Sequence, residues 1–427
     1  MVVRKVDYQS GPDKAWFTPL ADGGDVPGFV GGTAPAGPQL IRAMNEQLIL
    51  DHIRRSGELS RAELARLTKL SKPTVSLTLS NLERTGLVRQ CGTRTGTPGP
   101  AAILYEIRPE AGSVLALDVG SEYLRGAICD LSGARRADAT IEAKAATGHG
   151  RVGELVKLAE RLYAESGIAA ADITQAVLGT PGVHDPGRNA LSLTGALPGW
   201  EKPTVLAELR AAFGPSLMIE NDIDAAALAE QAHGHGHDVQ TFAFVSIGTG
   251  IGMGLVLGGR LHRGVHGAAG EIGYLPLDHG TGTDARDARK RGRLEAAASA
   301  AGIVRSARRL GMSRPASARA VFAAAADGDP RAVAVVAAEA TLVARAIASI
   351  VVVVDPELVV LGGGIGQADG FLSQVGRALP EYSPVLPELR VSALGADAVV
   401  DGCLAAGLER AWVLTTAAVP ASESGVS

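Results

Sequence analysis

Cysteine is scarce in this chain, and so are aromatic side chains. Its three cysteines, Cys91, Cys129 and Cys403, stand far apart in 427 residues, which supplies neither a disulfide framework nor metal-ligand spacing. A reducing cytoplasm fits that usage. Aromatic residues make up 4% of a sequence that is 46% hydrophobic, so the cores must be built from Ala, Val, Leu and Ile, in the manner of a globular protein. Long apolar runs are missing too. The longest run of apolar residues larger than alanine, Ile350 to Val354, falls far short of the roughly 20 residues of a membrane span. The first twenty residues hold no run of signal-peptide length, so no membrane partner is expected. A strong net charge is also absent: the formal value of −4 excludes bulk attraction to nucleic acid, and any DNA binding must come from a locally basic module.

What is present is enough chain for a small domain and a larger, two-lobed one. Residues 1–38 mix Gly, Pro and isolated charges without periodicity and read as a disordered tail. From residue 39 the pattern changes. Ile41, Met44, Leu48, Ile49 and Ile53 recur at helical spacing up to Gly57, which predicts a first helix. Ser60-Arg-Ala-Glu63 is a capping-box signature that starts a second. After Thr68-Lys69-Leu70, Ser71 is a good N-cap and Pro73 fits the first turn of a third, whose buried stripe is Val75, Leu79 and Leu82. Leu87-Val88-Arg89, a Gly/Pro-rich loop and Ile103–Ile107 then read as a wing. The unit, residues 39–107, is a winged helix-turn-helix.

With that stripe inward, Ser71, Lys72, Thr74 and Ser76 point outward near the helix N-terminus and would meet double-stranded operator DNA, while Arg94 of the wing reaches a minor groove. A small helical module can also dock proteins; capping box, turn and wing in this order favour DNA.

Residues 108–427 follow a different rule: apolar strands that end in glycine or acid. Val114-Leu-Ala-Leu-Asp118-Val-Gly120 and Leu124–Asp130 are two strands around a tight turn. An Asp and a Gly so placed suit a metal-phosphate group. Val177-Leu-Gly179-Thr-Pro-Gly182 and Leu217-Met-Ile-Glu220-Asn221-Asp222 are strands whose polar ends would line a cleft. Gly248-Thr249-Gly250-Ile-Gly252 suits phosphate or close strand packing. Gly267-Ala-Ala-Gly270-Glu271-Ile-Gly273 and Leu358-Val-Val-Leu-Gly362-Gly363-Gly-Ile365 complete the series. Asp222 has a second reading as the N-cap of the helix after it. His233-Gly-His-Gly-His237 could bind a transition metal, but its alternation reads better as a solvated loop.

In this order the motifs resemble the ROK family of bacterial repressors, open reading frames and sugar kinases, over about residues 39–415. The N-terminal winged helix is similar to the xylose and N-acetylglucosamine regulators of its repressor branch. The resemblance implies an α/β fold: a two-lobed, actin-like and sugar-kinase-like (RNase H-like) domain behind the winged helix. It implies that Asn221, Asp222, Glu271 and Glu295 surround a sugar that Gly182 lets close to the backbone, with Asp222 the general base in a kinase; Tyr274, in place of the family's His, could keep a hydroxyl contact with that sugar. Asp118, Gly120, Gly248, Thr249, Gly250 and Gly363 would be a vestigial phosphate site.

The sequence departs from the family in three places. Tyr274 stands where many members carry a zinc-binding His, and the segment His279–Glu295 contains no Cys, so structural zinc is predicted absent. Ser121-Glu122 follows the first phosphate turn, where a carboxylate repels triphosphate. In the wing, Gly96-Thr97-Pro98 replaces the familiar Gly-Arg-Pro. The expectation is a transcriptional regulator, a repressor whose operator affinity a sugar controls, acting as a homodimer or homotetramer with no metal or other cofactor. The rival is a sugar kinase using Mg-ATP, or a bifunctional kinase-regulator.

Overall fold

The computed structural model describes residues 38–94, 101–185, 187–194, 197–278, 285–313 and 315–417. The tail at residues 1–37 and the wing tip with Gly96-Thr97-Pro98 lie outside them, as does the start of the segment after Asp278.

The N-terminal module is α1 (Pro38–Ser56), β1 (Leu59–Ser60), α2 (Arg61–Thr68), α3 (Lys72–Arg84), β2 (Val88–Arg94) and β3 (Ala102–Ile107), with the strands in the order β1-β3-β2. Local chemistry sets the helix starts. The Ser60 N–H donates to Glu63 Oε2 at 2.9 Å and the Glu63 N–H to Ser60 Oγ at 3.3 Å, a closed capping box. The Thr74 N–H donates to Ser71 Oγ at the head of α3. Val75, Leu79 and Leu82 are buried as the periodicity requires. The stripe on α1 is shorter than its period suggests: Ile49, Leu50 and Ile53 are buried, but Ile41 and Met44 are 50% and 61% exposed. Helical spacing shows which residues share a face, not how far its cover extends.

The larger domain consists of two lobes with the same sheet plan. Lobe one holds β4 (Ser113–Val119), β5 (Tyr123–Asp130), β6 (Arg135–Glu142), α4 (Gly148–Ser166), β7 (Gln175–Thr180), the hairpin β8 (Val183–Asp185) and β9 (Ala190–Ser192), α5 (Pro203–Phe213) and β10 (Met218–Asn221). Its sheet runs β10-β7-β4-β5-β6, with β4-β5-β6 antiparallel and β7 and β10 parallel to β4. After α6 (Asp222–His233), lobe two contains β11 (Phe242–Ile247), β12 (Ile251–Leu257), β13 (Arg260–Leu261), α7 (Ala285–Arg291), α8 (Arg293–Ala298), α9 (Ala300–Arg309), α10 (Ala318–Ala326), α11 (Pro330–Val354), β14 (Leu358–Gly362), the short α12 (Gly363–Gly366), α13 (Phe371–Ala378) and β15 (Glu388–Val391). Its order is β13-β12-β11-β14-β15, again an antiparallel meander joined to two parallel strands. Helix α11 is long and apolar enough to cross a membrane by length and composition, but 67% of its most apolar stretch is buried inside the protein. It is the core helix of lobe two, packed through Leu342, Val343, Ile347 and Val351.

The last helix, α14 (Ala398–Ala417), returns to lobe one and lies against α6, β4 and β7. Its far end meets the N-terminal module. Leu408, Ala411 and Trp412 belong to the same buried cluster as Ile49, Leu50 and Ile53 of α1, and the Arg54 guanidinium lies 5.3 Å from the centre of the Trp412 ring. The winged helix therefore has no separate core. Where α14 crosses α6, glycine is mandatory: a Cβ at Gly402 would sit 1.7 Å from the carbonyl oxygen of Ala225. Gly402→Ala should cost about 1–3 kcal/mol by forcing these helices apart. The urea midpoint checks this, and an unchanged midpoint would show that they are not held so closely.

Candidate functional site

The two lobes face each other across a cleft of about 1270 Å³. Its lining brings together Gly182, Asn221, Asp222, Glu271, Tyr274 and Glu295 with Gly120, Gly248, Thr249, Gly250 and Gly363. Gly120, Gly182, Asn221, Gly248 and Gly363 converge because each lies at or just beyond the end of a strand, whereas Glu271 and Tyr274 come from the segment after β13 and Glu295 from α8. Asp118 lies just behind, 5% exposed at the end of β4.

Asn221, not Asp222, is the N-cap of α6: its Oδ1 accepts from the N–H groups of Ile223 and Asp224 at 2.9 and 3.1 Å. The capping reading of Asp222 is thereby corrected. Because Asn221 ends β10 in extended conformation and holds the first free N–H groups, Asp222 falls inside the first turn and borders the cleft. The Asn221 amide also donates to the carbonyl of Gly182 at 2.9 Å. Gly182 has φ +95°, and a Cβ there would meet Ser192 O at 2.6 Å. Asn221 thus pins the β7 turn to α6 and has one amide hydrogen left for a ligand.

Glu295, from α8, accepts from the Ile251 N–H at 3.2 Å and packs on Gly250, where a Cβ would come within 2.6 Å of its carboxylate. One side chain thereby ties the acidic wall to the glycine turn. Tyr274 is 44% exposed and its hydroxyl donates to the Lys290 carbonyl at 3.3 Å. The Gly248 N–H donates to Gly250 O at 2.8 Å, so it closes the turn instead of facing the cleft.

The cleft is strongly acidic, and burial dominates its titration. Burial pushes Asp222 up to about 6, against the N–H of Ile223, which stabilises its charge. Glu271 rises to about 7 through burial and the charges of Glu295 and Asp222. Asp224, unforeseen from sequence, rises to about 8, through burial and then Glu220. Asp118 is pushed to about 7 by burial and by Asp222, with Arg125 opposing. Arg125, also unforeseen, lies 3.4 Å from Asp118 Oδ2 and 5.5 Å from the Tyr123 ring centre, and it lines the cleft.

The second surface is the exposed side of α3. Ser71 and Lys72 are exposed and Thr74 and Ser76 half-buried. The hydroxyls of Ser71 and Thr74 bond each other at 2.7 Å. Leu77 is 69% exposed on the same face, one turn on. An apolar residue there is suited to a thymine methyl, and only the fold distinguishes it from the buried stripe beside it. Arg94 is held against Glu63 of the capping box at 2.7 Å.

The comparisons with known proteins agree with this geometry. The ROK family model matches residues 114–405, and a MarR-family model (MarR_2) matches residues 45–96. The chain belongs to the ROK family. Among curated relatives, the bifunctional enzyme NanE/NanK of Brucella suis is 38% identical over 229 residues, which is 50% of this chain and 42% of that protein. The xylose repressor of Bacillus spizizenii is 25% identical over 238 residues, covering 56% and 62%. The chain thus spans less than two thirds of either relative. A solved ROK family transcriptional regulator, a homologue of the E. coli MLC protein, matches 89% of this chain and 98% of its own at 25% identity and a TM-score of 0.70.

The His233–His237 run lies at the far end of α6, outside the cleft lining, and is not among the metal-competent clusters of the described residues. His235 donates its backbone N–H to Glu230 Oε2 at 2.9 Å and His237 Nδ1 lies 3.0 Å from Asp238, so the run closes α6 and begins a turn.

The acids make stability pH-dependent. Each of Asp118, Asp222, Asp224 and Glu271 has a folded pKa above its unfolded value, so the contribution is fully present below about pH 4 and is lost as pH rises through 6 to 8. Ligand-free protein should melt at a lower temperature at pH 8.5 than at pH 6. A melting point that stays level or rises over this range would contradict the burial of these acids.

Proposed function

We propose that this chain is a DNA-binding transcriptional repressor whose operator affinity is set by a sugar bound in the interlobe cleft. The observation that carries the reading is the core shared by the winged helix and α14. Asp222 opens α6 at the cleft, α6 is pressed on α14 at Gly402, and α14 holds α1 through Leu408, Ala411 and Trp412. A sugar that draws the lobes together moves the first turn of α6, and the DNA module follows. That requires the sugar to bind the two arrangements unequally. The xylose repressors among its relatives and the regulator of like fold support this choice.

The alternative, a sugar kinase, is favoured by Asp222 and the relationship to NanE/NanK. Its magnesium nucleotide fits this cleft poorly. The carboxylate that should face the metal is paired with Arg125, and the N–H of Gly248 is spent within its own turn. Nor does the zinc of other members fit: between Gly267 and Glu295 the sequence offers no thiolate. We therefore assign no cofactor. The repressor would act in the cytoplasm as a dimer or tetramer on a two-fold operator, each copy placing α3 in a major groove.

The test is fluorescence anisotropy on DNA from the protein's own promoter region, at fixed salt, with and without a panel of sugars. Selective binding altered by one sugar is expected, and Lys72→Ala should weaken it while flattening its salt dependence. Absence of selective binding, together with ADP release from Mg-ATP and a hexose, would replace this reading with the kinase.

A further inference from the structure

Asp224 is the third residue of α6, a position from which an acid commonly turns back to the N-cap N–H. Here it does not. It lines the cleft beside Asn221, Asp222 and Glu271, is 3% exposed, and its Oδ1 is shut off from solvent with no hydrogen-bond partner. The charged groups facing it are Glu220 at the end of β10, Asp222 on its own helix, Arg263 after β13, and Glu271. Arg263 is committed elsewhere: its Nε lies 3.0 and 3.1 Å from the two carboxylate oxygens of Glu220. Three carboxylates and one engaged guanidinium leave no cation for Asp224, and burial pushes it to about 8. At neutral pH it is a carboxylic acid, the one form of this side chain able to donate a hydrogen bond. An unpaired buried carboxyl costs stability, and no helix cap, ion pair or strand contact among the described residues uses this one.

We propose that Asp224 is a ligand-recognising residue of the cleft, donating a hydrogen bond to an oxygen of an uncharged sugar. The neutral form also lets a sugar sit beside Asp222, Glu271 and Glu295 without adding a negative charge. This inference rests on the sugar reading above and adds to it a residue and a ligand class.

The test is calorimetric titration of the full chain, without DNA, with D-glucose, D-xylose and N-acetyl-D-mannosamine between pH 7 and 9. Since the acid form is required, affinity should fall about tenfold across that range as a group near 8 loses its proton. Asp224→Asn keeps a donor of the same shape: it should bind at pH 7 and lose that part of the decline. Asp224→Ala should bind at least about tenfold more weakly at pH 7, as expected for a lost hydrogen bond in a dry site. Circular dichroism and melting would establish that both variants are folded, and the Asn variant should melt no lower than the wild type. Equal affinity of wild type and both variants at every pH would overturn the role of Asp224 and leave the sugar reading standing. Binding of none of these sugars by the wild type would overturn both.

Discussion

The close approach of α6 and α14 is the constraint on which the rest of the structure depends. One of these helices starts at the acidic wall of the cleft and the other packs its C-terminal half against the winged helix. They touch at a point where even a methyl group has no room, because a Cβ at Gly402 would fall on the backbone of Ala225. Packed protein interiors do not compress to absorb a shift at such a contact. A displacement of α6 must pass to α14, and from there to the α1 residues that share its core. The stacking of Arg54 on Trp412 adds a charged group to that junction.

The cleft accepts an electrostatic penalty for its chemistry. Asp118, Asp222, Asp224 and Glu271 all resist ionisation because burial removes water, and Asp118, Asp224 and Glu271 each meet another acid as well. Such groups are expensive for the fold and useful for a polyhydroxy ligand, which supplies the hydrogen bonds that water cannot. On the phosphate side Arg125 lies 3.4 Å from Asp118 and opposes that shift.

Much of this was legible in the sequence, because it depends on local chemistry. Ser60, Glu63, Ser71 and Pro73 announce the helices of the N-terminal module, and glycines or acids at strand ends announce the cleft. The departures arise where tertiary structure decides. Asn221 and Asp222 are both competent caps, and only the path of β10 selects Asn221. Arg125 and Asp224 sit within patterns that read as ordinary strand and helix, and their roles depend on partners 7 residues away across a hairpin or on other elements altogether. Leu77 has the composition of a core residue and the position of a surface one. The burial of α11 reflects lobe two folding around it, whereas a count of consecutive apolar residues is interrupted at Glu339, Thr341, Arg345 and Ser349.

Coupling of the cleft to the winged helix through α14 can be read by amide hydrogen exchange of the full chain, in the absence of DNA, with and without a sugar that the cleft binds. The sugar is expected to change protection in α6, along α14 and in the second half of α1. A change confined to the cleft, with α14 and α1 exchanging as in the free protein, would contradict it.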